Sequence, residues 1–189
     1  MANALYGLLA PRHKVFVSFH HSNDWQYRTA FEQLFAASYN VTVSASVQIG
    51  EIPPNTPSDV VRARIRDNYL QDSTVTVVLV GSQTWQRKHV DWEIGSSLRE
   101  TLYNKRSGLI GIVLPTYPRA STQHYDKYTI PPRLSDNIDC GYAKIYNWSN
   151  DPSLVSSWIH EAFDRRERVK PDNSYPNFVN NKFGASWKY

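Results

Sequence analysis

Three stretches of the chain bring polar and aromatic side chains to the ends of apolar runs, where they could share one pocket: Phe19, His20, His21 and Asp24 in "KVFVSFHHSND", Ser46 in "VTVSAS", and Ser82, Trp85 and Glu93 in "VGSQTWQRKHVDWEI". A carboxylate beside a bound group that gains positive charge stabilises that state. Glu93 is the carboxylate placed to do so. Phe19 and Trp85 offer flat faces to a base, while His20, Ser46 and Ser82 offer hydrogen bonds. Helical spacing sets Glu93 on the shoulder of the stripe Val90, Ile94, Leu98, Leu102, so a half-buried carboxylate is expected. An early position in a helix favours its ionised form, and burial opposes it.

Those residues need a scaffold that brings strand ends together. Apolar, β-branched runs recur at residues 14–19, 41–46, 75–80, 108–114 and 143–148, with room for a helix between successive runs. That rhythm predicts a parallel sheet covered on both faces, of order 2-1-3-4-5. In such sheets ligands bind beyond the carboxyl ends of the strands, where all three stretches fall. Helices are expected from Asp24, from Ser58 as an N-cap, from about Trp85 to Tyr103, and after Asp151-Pro152, whose pairing marks a helix start. The proline-rich stretches 51–57 and 115–137 read as loops. The tail from 169 has no helical or strand period, yet its aromatics suggest docking on this domain or on a neighbour. We divide the chain into a leader (1–13), one domain (14–168) and the tail (169–189).

Composition narrows the chemistry. With 189 residues, 41% hydrophobic and 20% charged, the chain can bury a core of its own. A net charge of +4 is modest, and "RARIR" and "DRRERVK" lie in helical segments, so no nucleic-acid partner is expected. Cys140 is the single cysteine, which excludes an intrachain disulfide and points to a reducing, cytoplasmic setting. No run approaches the ~18 apolar residues of a membrane span. His20 and His21 are adjacent, and no histidine pair has the spacing of a helix-borne metal site, so no metal is expected. A glycine-rich dinucleotide loop is absent after the first strand, as is a G-x-S-x-G elbow. A phospho-receiver would need an aspartate where this chain has Gly81-Ser82.

The combination of "KVFVSFHHSND", "VTVSAS" and "VTVVLVGSQTWQRKHVDWEI" resembles the TIR-like proteins, particularly the bacterial branch related to the TIR enzymes of Thoeris antiphage defence. The likeness covers about residues 14–114. It implies a flavodoxin-like α/β fold and cleavage of the nicotinamide glycosidic bond of NAD, the ADP-ribose part leaving as a signalling nucleotide, cyclised in some members. NAD is then substrate, and no cofactor is expected. The family's essential glutamate falls on Glu93, and its substrate-pocket positions fall on Phe19, His20, Asp24, Ser46, Ser82 and Trp85. Many TIR enzymes carry a tryptophan four residues before the glutamate; here that position is His89, and Trp92 adjoins the glutamate instead. The resemblance further implies self-assembly on activation and a downstream effector reached through the nucleotide. Two other readings fit the residues: a non-catalytic TIR-like scaffold, and an enzyme related to nucleoside deoxyribosyltransferases.

Overall fold

The computed structural model describes residues 12–37, 40–44, 56–101 and 104–188. Five strands form one sheet: β1 (His13–Ser18), β2 (Val41–Val43), β3 (Val75–Val80), β4 (Gly108–Val113) and β5 (Ala143–Asn147). All neighbours are parallel and the order is 2-1-3-4-5. β3 and β4 are buried at every position, as expected of central strands with helices on both faces.

Alternation along the strands sorts the core into two layers. Val15, Val17, Val75, Val77, Leu79, Ile110 and Ile112 meet α1 (His21–Leu34) through Phe31, and α5 (Pro152–Arg168) through Val155, Ile159 and Ala162. On the opposite face Val78, Val80, Leu109 and Val113 meet Val90 and Ile94 of α3 (Lys88–Ser97) and Leu134 of α4 (Pro132–Asp139). There Phe16 also packs with Val61 of α2 (Ser58–Arg64), Ile65 and Trp92. A π-helical turn, Ile65–Tyr69, continues α2. Gly108 admits α5 against β4, since a Cβ there would lie 2.4 Å from the Ala162 carbonyl oxygen.

Several boundaries differ from the sequence reading. α1 starts three residues before Asp24, because the His20 side chain accepts from the Asn23 amide and caps the helix. The helix expected over 85–103 is a 3-10 turn, Thr84–Gln86, then an extended Arg87, then α3. Gly95, Ser96 and Ser97 are weak helix formers at its end. Leu102 and Tyr103 lie outside the described residues. The stretch 115–137 is not all loop: α4 begins at Pro132, a residue suited to the first helical turn, and Pro131-Pro132 concealed that start.

The tail docks on its own domain, through a buried ion pair. Arg133 of α4 reaches Asp91 of α3 at 3.0 Å, both side chains being almost fully enclosed. The remaining Arg133 donors bind the tail: Nη1 to Asn173 Oδ1 (2.6 Å) and Nη2 to the Tyr175 carbonyl (2.7 Å). Asp91 Oδ2 in turn accepts from the Phe178 amide at 3.0 Å. Gly95 makes room, because a Cβ there would stand 3.2 Å from Arg133 Nε. Further along, Trp187 donates to the Ile130 carbonyl at 2.8 Å. Arg133→Ala strands Asp91 in the interior, so we expect a loss of about 3–5 kcal/mol in urea unfolding. Early proteolysis within 172–184 should accompany it; a stable variant with a protected tail would show that the pair does not hold the tail.

Candidate active site

Glu93 is completely enclosed, 1% exposed, rather than half buried. α3 packs on the sheet at the end of β1, and alternation along β1 turns Phe16 and Ser18 toward it. Ser18 Oγ donates to Glu93 Oε2 at 2.5 Å. Oε1 is buried and has no hydrogen-bond partner among the described residues. Burial pushes the Glu93 carboxyl up from 4.5 to about 8, against the smaller opposing effect of the Ser18 hydrogen bond. At neutral pH the resting group is therefore mostly a neutral acid.

Phe19, on the opposite side of the same strand end, stacks on His21 with ring centroids 4.4 Å apart. His21 meets His89 edge-on at 5.1 Å. His89 Nε2 lies 3.2 Å from the Phe19 carbonyl oxygen, which ties the first turn of α3 to the end of β1. Burial is the first reason that His89 is held near 4, with the neighbouring His21, His20 and Arg87 adding to it. His20 is also held near 4, by burial first and by the Arg87 charge second. Its Nδ1 accepts from the Asn23 amide at 3.2 Å, so the proton of the neutral ring sits on Nε2. That Nε2 is buried without a partner among the described residues.

Asp24 occupies a different position in the architecture. It is 0% exposed; Oδ1 accepts from Thr116 at 3.2 Å and Oδ2 from Thr84 at 3.4 Å. Burial raises its carboxyl above the ordinary range despite those two bonds. Gly81 is required beside it, because a Cβ would fall 2.3 Å from Asp24 Oδ2. Asp24 thus fastens α1 to the loops after β3 and β4. Asn23 donates to Gln83 at 3.0 Å across the same seam. Ser82 is half-buried in the turn after β3, and Trp85 is 2% exposed in the next turn, with neither ring face open to solvent. Ser46 lies outside the described residues.

Sequence reasoning gives no role to Ser18, Gly81 or Thr84, although they sit at the strand ends that it singles out, and it does not single out Thr116 or Arg87. Period-two alternation could have revealed Ser18, which shares a strand face with Phe16. Nothing in sequence spacing signals Thr116, which approaches Asp24 from 92 residues away. Among the described residues, no group of three or more His, Cys, Asp and Glu is arranged to hold a metal, and no helix is long and apolar enough to cross a membrane.

A family model described as "Thoeris protein ThsB, TIR-like domain" matches residues 16–119. No curated protein matches the chain. Among solved structures, the chain is similar to the TIR domains in "Structure of the activated Roq1 resistosome directly recognizing the pathogen effector XopQ", at 12% identity and a TM-score of 0.36, over 82% of this chain and 84% of that one.

The raised carboxyl makes a stability prediction with a definite sign. Between 4.5 and about 8 the unfolded chain has released the Glu93 proton and the folded chain still holds it, so this group's contribution falls as pH rises. Glu93→Gln, which cannot ionise, should gain in Tm relative to wild type progressively from pH 5 to pH 8 and level off above. Parallel Tm curves for the two proteins would contradict a buried neutral acid.

Proposed function

We propose, for a chain that belongs to the TIR-like domain family of the Thoeris protein ThsB, that it cleaves the nicotinamide glycosidic bond of NAD and releases an ADP-ribose-derived signalling nucleotide in antiphage defence. The supporting observation is the Glu93 carboxyl, with Oε2 fixed by Ser18 and Oε1 enclosed and unpaired. A buried polar atom left without a partner costs roughly 1–3 kcal/mol, and a ribose hydroxyl is a group able to meet it.

In the reaction the bond between ribose C1′ and the nicotinamide nitrogen breaks, and its electron pair leaves with the ring, neutralising the pyridinium. Positive charge passes to the ribose, where a carboxylate at fixed distance is most effective in a site emptied of water. Water then attacks C1′ and gives up a proton; in cyclisation, a nucleophilic atom of the same ADP-ribose takes the place of water. Glu93 must be ionised for the first step. The cationic nicotinamide of NAD supplies the means, since positive charge beside a buried acid lowers its pKa. The substrate would thereby charge the group that acts on it, while empty protein keeps that group neutral.

NAD is substrate and no cofactor is required. We place the cyclic nucleotide ahead of the hydrolysed product, a downstream effector protein as its reader, and self-assembly as the activating event. The scaffold alternative rests on the aromatic tail and the basic stretch "RARIR"; of these, the tail is bound along its own domain through Asn173, Tyr175, Phe178 and Trp187.

Nucleotides extracted from phage-challenged cells provide the test. Wild type should deplete NAD and accumulate an ADP-ribose derivative, and Glu93→Gln at equal expression should make on the order of 10²-fold less, or lower. With active protein, kcat/KM should rise with pH toward about 8, the value for the free acid, while the rise in kcat sits at lower pH because bound substrate favours ionisation. Wild-type product levels from the Gln form would return Glu93 to a structural role.

A further inference from the structure

At the end of β1 and the start of α3, the two elements that meet at Glu93, lie two buried hydrogen-bond donors without a partner among the described residues. His20 is 5% exposed, and its Nε2 carries the proton because Nδ1 accepts from Asn23. Arg87, in the extended residue that begins α3, has its Nε buried; neither nitrogen has a partner among the described residues. Arg87 also forms no ion pair there. Its charge acts on both His20 and His89, and His89, two residues further on, lies 3.2 Å from the carbonyl oxygen of Phe19, the residue before His20. Ser44 Oγ, at the end of β2, is a buried hydroxyl also without a partner among the described residues. Native proteins pair at least nine in ten buried polar groups, so donors left unpaired at the end of β1 and the start of α3 indicate atoms that a ligand supplies.

The kind of atom follows from the donors. Two N–H groups and a positive charge, with no carboxylate drawn to them, require an acceptor that bears negative charge. A guanidinium prefers the paired oxygens of phosphate. We propose that Arg87 and His20 form an anion subsite next to Glu93, which takes a phosphate of a diphosphate-bearing nucleotide. This rests on the NAD reading for the identity of the nucleotide, and on the orphaned donors alone for the anion. Five residues of α3 separate the extended Arg87 from Glu93, and the helix rises roughly 8 Å between Lys88 and Glu93. A dinucleotide whose ribose C1′ lies at Glu93 carries its diphosphate one ribose and one methylene away, within reach of the Arg87 side chain. The subsite fixes which end of the dinucleotide enters first.

Calorimetric titration of the full chain with inorganic pyrophosphate, ADP-ribose and adenosine tests the subsite, in wild type, Arg87→Gln and Arg87→Lys. Thermal unfolding of each protein accompanies the titrations, and Arg87→Lys keeps the charge should the Gln form fold poorly. Wild type should bind ADP-ribose and, more weakly, pyrophosphate. Arg87→Gln should lose about tenfold to a hundredfold in both, Arg87→Lys should fall between, and adenosine binding should not respond to either change. Unchanged affinity for ADP-ribose and pyrophosphate in Arg87→Gln, or no binding of either by wild type, overturns the subsite. NAD cleavage that is intact in Arg87→Gln and absent in Glu93→Gln would remove the subsite and leave the proposed reaction standing. Arg87-dependent pyrophosphate binding in a protein that never cleaves NAD would do the reverse.

Discussion

A carboxyl group enclosed with a single hydrogen bond is the constraint on which the rest of the molecule turns. Water would solvate Glu93 far better than Ser18 does, so folding must hold it in place by means unrelated to its own charge. The apolar residues of α3 supply them. Val90 and Ile94 sit against Val78, Val80 and Leu109, and burying each such side chain contributes roughly 1.5–3 kcal/mol. That is enough to bury a neutral acid, and far short of what an isolated ionised carboxylate would need.

The same helix shows the alternative treatment two residues earlier. Asp91 and Glu93 are equally inaccessible and point roughly 200° apart around α3. Asp91 is met by the Arg133 guanidinium and the Phe178 amide; Glu93 has one hydroxyl. One carboxylate is thereby committed to structure, anchoring α4 and the tail, and the other is kept unsatisfied where the strand ends open. Two enclosed acids on one helix, one met by a guanidinium and the other by a single hydroxyl, are thus set to different uses. Trp92, between them, donates to the Phe178 carbonyl at 2.8 Å and Lys88 to Asn181 at 3.0 Å, so the tail grips α3 along the face away from Glu93.

The fold was legible where hydrophobic period decides it. β3 and β4 are uninterrupted apolar runs, and the crossovers between strands allow few topologies. It was less legible where caps and prolines decide it: His20 is an uncommon N-cap, and Pro131-Pro132 reads as a break although Pro132 starts α4. The site residues were visible by type and by their place at strand ends, but their partners were not. Ser18 and Glu93 are 75 residues apart, and only the packing of α3 on the end of β1 brings them together. The burial of Glu93 was underestimated for the same reason, because a helical angle tells which way a side chain points and not how closely the next layer lies. Asp24 reads from sequence as a polar residue at a pocket mouth, yet its oxygens meet Thr84 and Thr116 and its neighbour must be Gly81.

A direct titration of Glu93 addresses the central claim. In protein carrying 13C-labelled glutamate, the Glu93 side-chain carboxyl resonance is assigned by its loss in Glu93→Gln and followed from pH 4 to pH 10. A midpoint near 8 that moves down when a non-hydrolysable carba analogue of NAD, with its cationic nicotinamide, is added would establish a buried neutral acid charged by its substrate. A midpoint near 4.5, the ordinary value, that the analogue does not move would contradict it.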